Sequence, residues 1–269
     1  MKTWFITGTS TGFGRHWSEA ALERGDRVVA TARSLDAIAD YAERFGDAVL
    51  PLQLDVTDRD GVFHAIEQAR ARFGVLDVVV NNAGYGHFGM VEELTERELR
   101  EQMETNFFGA VWVTQAVLPI FRNQGRGHLI QVTSEGGVRT FPGIGAYHAS
   151  KWALEGLAET LWQEVERFGI HVTNLEPGPY QTDWLDRGSR HSAPIAEYDA
   201  IRASGSWDVG DARATRAAIL ELVDAPKPPH RLFFGKSFPA VEAIYHDRLD
   251  TWRDWQDLSL RSFGSHTEA

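Results

Sequence analysis

A tyrosine and a lysine four residues apart carry the clearest chemical signal in this chain of 269 residues. They lie in the run Tyr147-His148-Ala149-Ser150-Lys151, and a helix would bring Tyr147 and Lys151 to the same face, because residues i and i+4 are neighbours there. A phenol with a pKa of about 10 is poorly matched to neutral pH, and a nearby ammonium favours the phenolate and lowers that pKa. The pair therefore predicts a tyrosine that donates and accepts a proton. The alternative interpretation is a tyrosine at a helix start beside an exposed lysine.

A serine lies just after an apolar, strand-like segment at residues 128–132, and thirteen residues before the tyrosine. A hydroxyl at this place can donate a hydrogen bond to a carbonyl oxygen and polarise it. Ser134 is therefore a candidate catalytic and substrate-binding residue. The alternative is a turn serine that precedes Gly136 and Gly137.

A glycine-rich loop follows the first strand-like segment, residues 4–7, and precedes a helical pattern. Its sequence, Thr-Gly-Thr-Ser-Thr-Gly-Phe-Gly at residues 7–14, has the spacing Gly-x3-Gly-x-Gly. Glycines allow a tight turn and a close approach of the backbone to a pyrophosphate, whose charge meets the helix N-terminus. The residues predicted to contact a dinucleotide in this loop are Gly8, Ser10, Thr11, Gly12, Phe13 and Gly14. A Gly/Ser-rich loop without a ligand is the alternative.

The second predicted strand ends without the acidic residue that dinucleotide folds place about 20 residues beyond the glycines to hold the adenosine ribose. Arg33 follows Thr31 and Ala32 there instead. A guanidinium suits a 2′-phosphate, because its planar fork binds phosphate oxygens. Arg33 therefore predicts a preference for NADP(H) over NAD(H), and the alternative is a solvated surface arginine.

Two further motifs follow predicted strands and would lie at the same edge of the sheet. Asp55 and Val56 end the third strand, whereas Asn82, Ala83 and Gly84 follow the fourth. Ligands of open α/β sheets gather at the carboxyl ends of the strands, so these five residues are predicted to line a cofactor site. The alternative for each is a helix cap or a turn residue.

The elements that would position these residues alternate between strand and helix along the chain. Apolar, strand-like runs at residues 27–31, 49–54, 78–80, 128–132 and 170–175 are separated by helical patterns, the longest at residues 96–121 and 147–168. Continuous apolar strands between helices are typical of a parallel sheet covered on both faces. The pattern predicts an α/β fold with a doubly wound, Rossmann-like parallel sheet in a single domain over residues 1–269.

Two segments depart from this alternation. Residues 179–210 are rich in Asp, Arg, Ser, Gly and Trp without periodicity, and a loop of that length predicts a substrate-binding segment. Residues 238–269 form a tail that contains Trp252 and Trp255 and is predicted to pack as a helix with a frayed end.

Composition excludes several classes of site and partner. The chain has no cysteine, which excludes disulfides, thiolate catalysis and cysteine metal sites, and its ten histidines show no metal-like spacing. Its formal net charge is −11 and it has no basic stripe, so neither nucleic acid nor an anionic membrane is an expected partner. No apolar run approaches the roughly 20 residues of a transmembrane helix, and the first residues lack the apolar core of a signal peptide. We expect a cytoplasmic protein without a metal.

Taken in order, these motifs resemble the short-chain dehydrogenase/reductase family in its compact, single-domain subtype. The resemblance covers residues 2–182, with a weaker match at the strand-like residues 231–234. Its matching elements are the glycine loop at residues 7–14, Asp55, the Asn-Asn-Ala-Gly run at residues 81–84, Asn106, Ser134, the Tyr147 and Lys151 pair, and Pro177-Gly178 with Thr182.

The resemblance implies an oxidoreductase that interconverts a carbonyl and an alcohol, with hydride transfer from the pro-S face of a nicotinamide and no metal. Tyr147 would exchange the proton, Ser134 would hold the substrate oxygen, and Lys151 would lower the tyrosine pKa and bind the nicotinamide ribose. Asn106 would hold a water that continues the proton relay. The other implied cofactor contacts are Asp55 at adenine, Asn82 and Gly84 along the cofactor, and Pro177, Gly178 and Thr182 at the nicotinamide end.

The resemblance also bears on cofactor choice and assembly. Many NADP-using members carry a basic residue just before the second motif glycine, where this chain has Thr11, so the NADP(H) prediction depends on Arg33 and on the missing acid. Members usually form dimers or tetramers, and the helices predicted at residues 96–121 and 147–168 would supply a homodimer or homotetramer interface.

The substrate would be a small carbonyl or alcohol compound. Besides Ser134 and Tyr147, the residues predicted to contact it are Glu135, Phe141, Tyr180 and Trp184. The three aromatic side chains could instead be ordinary core, and the sequence leaves open whether Glu135 faces the pocket. The aromatic content predicts an apolar or ring-bearing substrate.

Two other functions remain possible on this fold, because a fold does not fix a function. One is a non-catalytic NADP-binding sensor or scaffold, although such proteins commonly lose the tyrosine or the lysine. The other is a sugar epimerase or dehydratase, which uses a different glycine spacing and a larger C-terminal substrate region.

Overall fold

The structure is a computed structural model, and it describes residues 1–185, 188–203 and 208–263. Eleven strands are described: β1 (Thr3–Thr7), β2 (Arg27–Ala32), β3 (Val49–Gln53), β4 (Val78–Asn81), β5 (Gly86–Phe88), β6 (Gly127–Val132), β7 (Ile170–Pro177), β8 (Tyr180–Gln181), β9 (Ser189–His191), β10 (Gly210–Asp211) and β11 (Arg231–Phe234). Ten α-helices are described: α1 (Gly12–Glu23), α2 (Asp40–Phe45), α3 (Arg59–Phe73), α4 (Glu96–Met103), α5 (Gly109–Gln124), α6 (Gly145–Val165), α7 (Asp199–Arg202), α8 (Thr215–Asp224), α9 (Phe238–Asp254) and α10 (Gln256–Phe263).

Seven strands form the central sheet, in the order β11-β7-β6-β4-β1-β2-β3. Every neighbouring pair in this sheet is parallel. The predicted doubly wound, Rossmann-like α/β fold in a single domain is therefore confirmed. The chain order runs outward in one direction from β1 to β3 and in the other from β4 to β11, so the switch between β1 and β4 opens a crevice at their carboxyl ends.

Each face of the sheet has its own apolar core, because successive side chains of a strand point to opposite faces. On β1, Phe5 packs with α3, α5 and α6, whereas Trp4 and Ile6 pack with α1, α2 and α8. All three side chains are fully buried. This two-sided burial explains why the strands are continuously apolar in sequence.

The long helix predicted at residues 96–121 is interrupted. A π-helical turn, Glu104–Phe108, joins α4 to α5. The predicted helical region is helical throughout, but the wider turn was not predicted, because apolar periodicity does not distinguish a regular helix from one that contains a single wider turn. Such turns are frequent at functional sites, and this one carries Asn106.

Short elements build up the segment predicted as a loop at residues 179–210. Strand β8 pairs with β10, and β9 pairs with β5. Residues 186–187 and 204–207 of that prediction, and residues 264–269 of the predicted tail, lie outside the described residues. In the described part of the chain, no helix has the length and apolarity needed to cross a bilayer.

Candidate active site

A cleft of about 670 Å³ opens at the carboxyl ends of the central strands. Of the predicted site residues, Gly14 and Asn106 do not line it. Those that do are Gly8, Ser10, Thr11, Gly12, Phe13, Arg33, Asp55, Val56, Asn82, Ala83, Gly84, Ser134, Glu135, Phe141, Tyr147, Lys151, Pro177, Gly178, Tyr180, Thr182 and Trp184. The fold thus brings together motifs that are up to 176 positions apart, between Gly8 and Trp184.

The glycine loop is held in shape by Asn82. The side-chain amide of Asn82 donates to the carbonyl oxygens of Thr7 at 2.8 Å and of Gly8 at 3.0 Å. A Cβ atom on Gly14 would lie 2.2 Å from the Gly8 carbonyl oxygen and 2.6 Å from Asn82 Nδ2. Gly14 is therefore needed for packing of the loop against the start of α1 and does not line the cleft, and its contact with a cofactor stays a prediction.

The loop has the form of an anion cradle. Gly8 and Gly12 have φ angles of +70° and +56°, which other residues adopt only with strain. Helix α1 begins at Gly12, so its free N–H groups and positive dipole end lie beside the cleft. These features fit the pyrophosphate of a dinucleotide.

Two predicted adenosine contacts differ in what else they bind. Arg33 is exposed at the rim of the cleft, and across the three described ranges it forms no ion pair. Asp55 Oδ1 accepts hydrogen bonds from the Thr57 backbone N–H at 3.0 Å and the Thr57 hydroxyl at 2.8 Å. Asp55 is therefore a turn residue that also lines the cleft, and its contact with adenine stays a prediction.

Tyr147 and Ser134 lie together in the cleft, and both are buried. Burial raises the pKa of Tyr147 to about 12, a hydrogen bond with Ser134 opposes this, and the charge of Glu135 raises it further. The direction is opposite to the sequence expectation of a lowered pKa, because loss of solvation disfavours the phenolate.

Lys151 shares the Tyr147 face of α6, as the spacing predicted. Its Nζ lies 5.7 Å from the centre of the Tyr147 ring and donates to the Val132 carbonyl oxygen at 2.7 Å. Burial lowers the pKa of Lys151 to about 8, while the charge of Glu155, one turn along the helix, acts in the opposite sense. The ammonium is thus oriented by the end of β6, close to the ring but directed at a carbonyl.

Asn106 is buried behind the cleft wall. Its Nδ2 donates to the Tyr85 carbonyl oxygen at 3.0 Å and to Ser150 Oγ at 3.1 Å, and its Oδ1 accepts from the Tyr85 N–H at 3.1 Å. These bonds use both N–H donors of the amide, whereas Oδ1 keeps a second lone pair that can accept a hydrogen bond. Asn106 therefore ties the Tyr85 backbone to α6, and its role in holding a relay water stays a prediction.

The predicted substrate contacts lie at two places in the cleft. Trp184 packs edge-on against Tyr147 with ring centres 5.1 Å apart. Tyr180 packs against Phe13 of the glycine loop at 5.2 Å. Tyr180 therefore lies beside the expected phosphate region rather than the reacting carbonyl.

Glu135 lines the cleft and is buried, which answers the question that the sequence left open. Its Oε2 accepts two hydrogen bonds from Arg139, from Nε at 3.0 Å and from Nη2 at 2.6 Å. The guanidinium also lies 5.6 Å from the centre of the Phe141 ring. The carboxylate next to Ser134 is therefore neutralised by a partner in its own segment.

His148 fixes the segment that carries Glu135 and Phe141. Its Nδ1 lies 2.8 Å from the Gly136 carbonyl oxygen, and its Nε2 accepts from the Phe141 N–H at 3.1 Å. These partners require a neutral ring with its proton on Nδ1. Burial lowers the pKa of His148, which favours the same neutral state.

A buried acidic cluster behind Lys151 was missed in the sequence. Arg231 on β11 binds both Glu155 on α6, at 2.5 Å, and Glu176 on β7, at 3.0 Å. Burial, together with the charge of Glu155, raises the pKa of Glu176 to about 7. The cluster ties the helix of Tyr147 to the strand that ends at Pro177. No local pattern marks it, because its three members come from separate elements.

The mouth of the cleft holds another set that sequence spacing did not reveal. Arg190 on β9 binds Glu101 on α4 at 2.5 Å, and its guanidinium lies 4.5 Å from the centre of the Tyr85 ring. All three residues line the cleft. Within the described ranges, no group of three or more His, Asp or Glu side chains is arranged to hold a metal ion.

Comparison with known proteins agrees with this architecture. The profile of the short chain dehydrogenase family matches residues 2–192. The chain belongs to the short-chain dehydrogenase family. Among its relatives, Oxidoreductase BOA17 of Botryotinia fuckeliana is 38% identical over 97% of this chain and 99% of that protein. The 3-ketodihydrosphingosine reductase of Bacteroides thetaiotaomicron is 42% identical over 89% of each.

Solved structures of the family share the fold of this short-chain dehydrogenase. A short-chain dehydrogenase from Streptomyces avermitilis is 37% identical and superposes with a TM-score of 0.89 over 96% of this chain and 97% of that one. An alcohol dehydrogenase from Thermococcus sibiricus, solved in complex with 5-hydroxy-NADP, is 30% identical with a TM-score of 0.70 over 87% and 96%. The protein is thus an oxidoreductase of a family whose members bind nicotinamide cofactors.

Proposed function

We propose that this short-chain dehydrogenase interconverts a ketone or aldehyde and the corresponding alcohol with NADP(H), and that Tyr147 is its general acid and base. The observation that carries the proposal is that Tyr147 and Ser134 line the same cleft as the glycine loop and Arg33. The reaction is written as reduction, with oxidation as its reverse.

The residues of the cleft fit the parts of the cofactor. The glycine loop and the start of α1 would hold the pyrophosphate. Asp55 and Val56 would contact adenine, and Arg33 would bind the 2′-phosphate. Asn82 would keep the loop in shape while Ala83 and Gly84 line the path, and Pro177, Gly178 and Thr182 would contact the nicotinamide end. When bound, the reduced nicotinamide supplies the hydride that the chain itself lacks.

The chain's own residues would handle the proton and the substrate oxygen. Ser134 Oγ and Tyr147 Oη donate hydrogen bonds to the carbonyl oxygen, and the proton moves from Tyr147 Oη to that oxygen as it becomes an alcohol. A Tyr147 pKa of about 12 supports the role of a donor, because the phenol keeps its proton at neutral pH. The Lys151 ammonium stabilises the phenolate that remains.

The substrate class that we propose is apolar or ring-bearing. Phe141, Trp184 and the face of Tyr147 supply the apolar walls, and the carboxylate of Glu135 is neutralised by Arg139. A relative with 42% identity is named a 3-ketodihydrosphingosine reductase, and a long-chain ketone of that kind fits the same walls. We also propose that the enzyme acts in the cytoplasm, where NADPH is abundant.

Cofactor choice is tested by titrating NADPH and NADH against the wild type and Arg33→Glu, with nucleotide fluorescence as the signal. We expect the variant to lose at least about tenfold in NADPH affinity, because a charge-assisted contact to phosphate becomes a repulsion, while NADH affinity changes little. Arg167→Glu, an equal charge change at an exposed site that does not line the cleft, is the control. Equal loss for both nucleotides would disprove the role of Arg33.

The catalytic assignment is tested with Tyr147→Phe on a panel of apolar ketones. We expect kcat to fall by about 10²–10⁴, the usual contribution of a positioned general acid, while NADPH still binds. Full activity in this variant would contradict the assignment. Binding of NADPH without turnover of any carbonyl by the wild type would favour a non-catalytic sensor.

A further inference from the structure

Glu135 has one carboxylate oxygen that its partner Arg139 leaves unused. Both hydrogen bonds from Arg139 end on Oε2, and Arg139 lies outside the cleft lining, whereas Glu135 is part of it. Across the three described ranges Oε1 has no hydrogen-bond partner, and the atom is not sealed from solvent. The lone pairs of Oε1 are therefore open to the cleft as acceptors.

The segment of Glu135 is held directly against the reacting hydroxyls. Glu135 follows Ser134 in the chain, and the Ser134 hydroxyl accepts from the Gly136 N–H at 3.0 Å. A Cβ atom on Gly136 would lie 2.9 Å from His148 Nδ1 and 3.2 Å from Tyr147 Cε1. Because the Cα atoms of consecutive residues are about 3.8 Å apart, a ligand whose carbonyl oxygen is held by Ser134 can reach Glu135 with a group on the first or second carbon beyond.

Apolar side chains surround this acceptor in the cleft. Phe141 packs edge-on against His148 with ring centres 4.6 Å apart, and Ile144, at the start of α6, is buried. Both line the cleft, as does Trp184 beside Tyr147. A polar atom in an apolar wall fixes the orientation of a ligand, because an alkyl group placed against it leaves the oxygen unpaired.

Arg139 decides which kind of donor suits Oε1. Its guanidinium neutralises the carboxylate through two hydrogen bonds to the other oxygen. An ammonium that leaves water needs an uncompensated counter-charge, whereas a hydroxyl needs only an acceptor. The Glu135 and Arg139 pair therefore favours a hydroxyl over an ammonium.

We propose that Glu135 is a specificity-determining residue that selects carbonyl substrates with a hydroxyl group on the first or second carbon from the carbonyl carbon. This hydroxyl donates to Glu135 Oε1 while Ser134 and Tyr147 bind the carbonyl oxygen, and the apolar remainder of the substrate contacts Phe141 and Trp184. The inference rests on the proposed function and narrows its substrate class to hydroxy ketones and hydroxy aldehydes. In the direction of oxidation, the same contact selects diols.

The test compares kcat/KM for ketones of similar size: α-hydroxyacetophenone, its methyl ether and propiophenone. The ether keeps the electron-withdrawing oxygen but has no donor, and propiophenone has a methyl group in place of the hydroxyl. We expect the wild type to prefer the hydroxy ketone over both by about tenfold to a hundredfold, as for a hydrogen bond to a charged group. β-Hydroxypropiophenone and its methyl ether test the second carbon in the same way, and a preference at either carbon supports the proposal.

Glu135→Gln separates the hydrogen bond from the shape of the pocket. Arg139 has only N–H donors, so the amide oxygen of the variant must face Arg139 and its NH₂ group must face the cleft. An NH₂ group donates to an ether as well as to a hydroxyl. We therefore expect the variant to lose the preference over the methyl ether and to keep the preference over propiophenone. Glu164→Gln, the same change at an exposed position of α6 outside the cleft lining, is the control and should keep the wild-type ratios.

Equal kcat/KM for each hydroxy ketone and its ether in the wild type would overturn the proposal. A preference that persists in Glu135→Gln would do the same, because the discrimination would then be one of size. Stronger turnover of α-aminoacetophenone than of the hydroxy ketone, or loss of NADPH binding in Glu135→Gln, would also overturn it.

Binding measurements keep this proposal apart from the proposed function. The same ketones are titrated into the NADPH-bound enzyme, with quenching of nucleotide fluorescence as the signal. A binding preference for the hydroxy ketone that Glu135→Gln removes, without turnover of any ketone, would support the Glu135 contact and contradict the proposed function. Turnover of all the ketones without such a preference would overturn the Glu135 contact and leave the proposed function standing.

Discussion

At the scale of single residues, burial decides the acid–base behaviour of the site. Tyr147 and Lys151 are both buried, and the loss of solvation raises the pKa of the phenol and lowers that of the ammonium. Because the pKa of Tyr147 is about 12 and that of Lys151 is about 8, both groups carry their protons below about pH 8. The proposed mechanism of reduction needs that state, because Tyr147 would donate its proton and Lys151 would stabilise the resulting phenolate.

The lower of these pKa values, that of Lys151, predicts the pH dependence of reduction. We expect kcat/KM for carbonyl reduction to be level below pH 8 and to fall about tenfold per pH unit above it, since kcat/KM reports the groups of the free enzyme. Glu155→Gln should move the fall to lower pH, because the Glu155 charge favours the Lys151 ammonium. Glu159→Gln, one turn further along α6 and also bound to Arg231, is the control. A value of kcat/KM that stays constant up to pH 10 would contradict the proposed role of Lys151.

At the scale of elements, the strands β6 and β7 carry Ser134 and Pro177 at their ends, and a buried histidine joins them. His128 Nε2 lies 2.9 Å from Thr173 Oγ1, which in turn donates to the Pro229 carbonyl oxygen at 2.7 Å. Burial lowers the pKa of His128 to about 3, with the nearby His171 and Lys2 charges acting in the same direction. The pairing of these strands therefore requires a neutral imidazole.

Stability should accordingly fall in acid. In the unfolded chain His128 takes up a proton below its ordinary pKa of 6.5, whereas the folded chain resists it down to about 3. Between these values the free energy of unfolding should drop by up to about 1.4 kcal/mol per pH unit from this residue alone. Urea unfolding at pH 7.5 and 5.5 should show a smaller drop in His128→Gln than in the wild type. His246→Gln, at an exposed position on α9, should behave as the wild type does. An equal drop in the free energy of unfolding between pH 7.5 and pH 5.5 in all three proteins would contradict this role of His128.

At the scale of the whole molecule, residues 189–202 are tied to Glu93, which lies shortly before α4. Glu93 Oε1 accepts from the Ile195 N–H at 2.7 Å and from Arg202 Nη1 at 2.6 Å. These bonds hold the pKa of Glu93 at about 2. The contact between Arg190 and Glu101, which line the cleft together with Tyr85, holds the same segment at its other end.

Weakening the hydrogen bonds of Glu93 should raise KM for the substrate more than it lowers kcat. We expect Glu93→Gln to raise KM for the carbonyl about tenfold, as on loss of one hydrogen bond to a charged group, with kcat little changed. Trypsin should then cut after Arg190 or Arg202 faster than in the wild type. Glu96→Gln, an 80% exposed carboxylate on α4, is the control. A lowered kcat with an unchanged KM would contradict this prediction, because the substitution would then affect the chemical step and not substrate binding.

The sequence by itself determined the features that arise from local spacing. Turn and periodicity patterns gave the alternation of strands and helices, and hence the parallel sheet. The i and i+4 relation gave the shared face of Tyr147 and Lys151, and the position of each motif after a strand gave its place at the carboxyl edge. Local geometry is enough to predict these elements and the shared helix face, because backbone conformation depends mainly on nearby residues.

The tertiary structure alone decided what depends on burial and on distant partners. It gave the raised pKa of Tyr147, because desolvation outweighs the hydrogen bond with Ser134. It placed Asn106 in a π-helical turn, where its amide binds the Tyr85 backbone. It brought Arg190 to Glu101 across 89 positions of the chain and joined Glu155 to Glu176 through Arg231. No pattern in the chain encodes such pairs, because they exist only once the packed sheet sets their distance and excludes water.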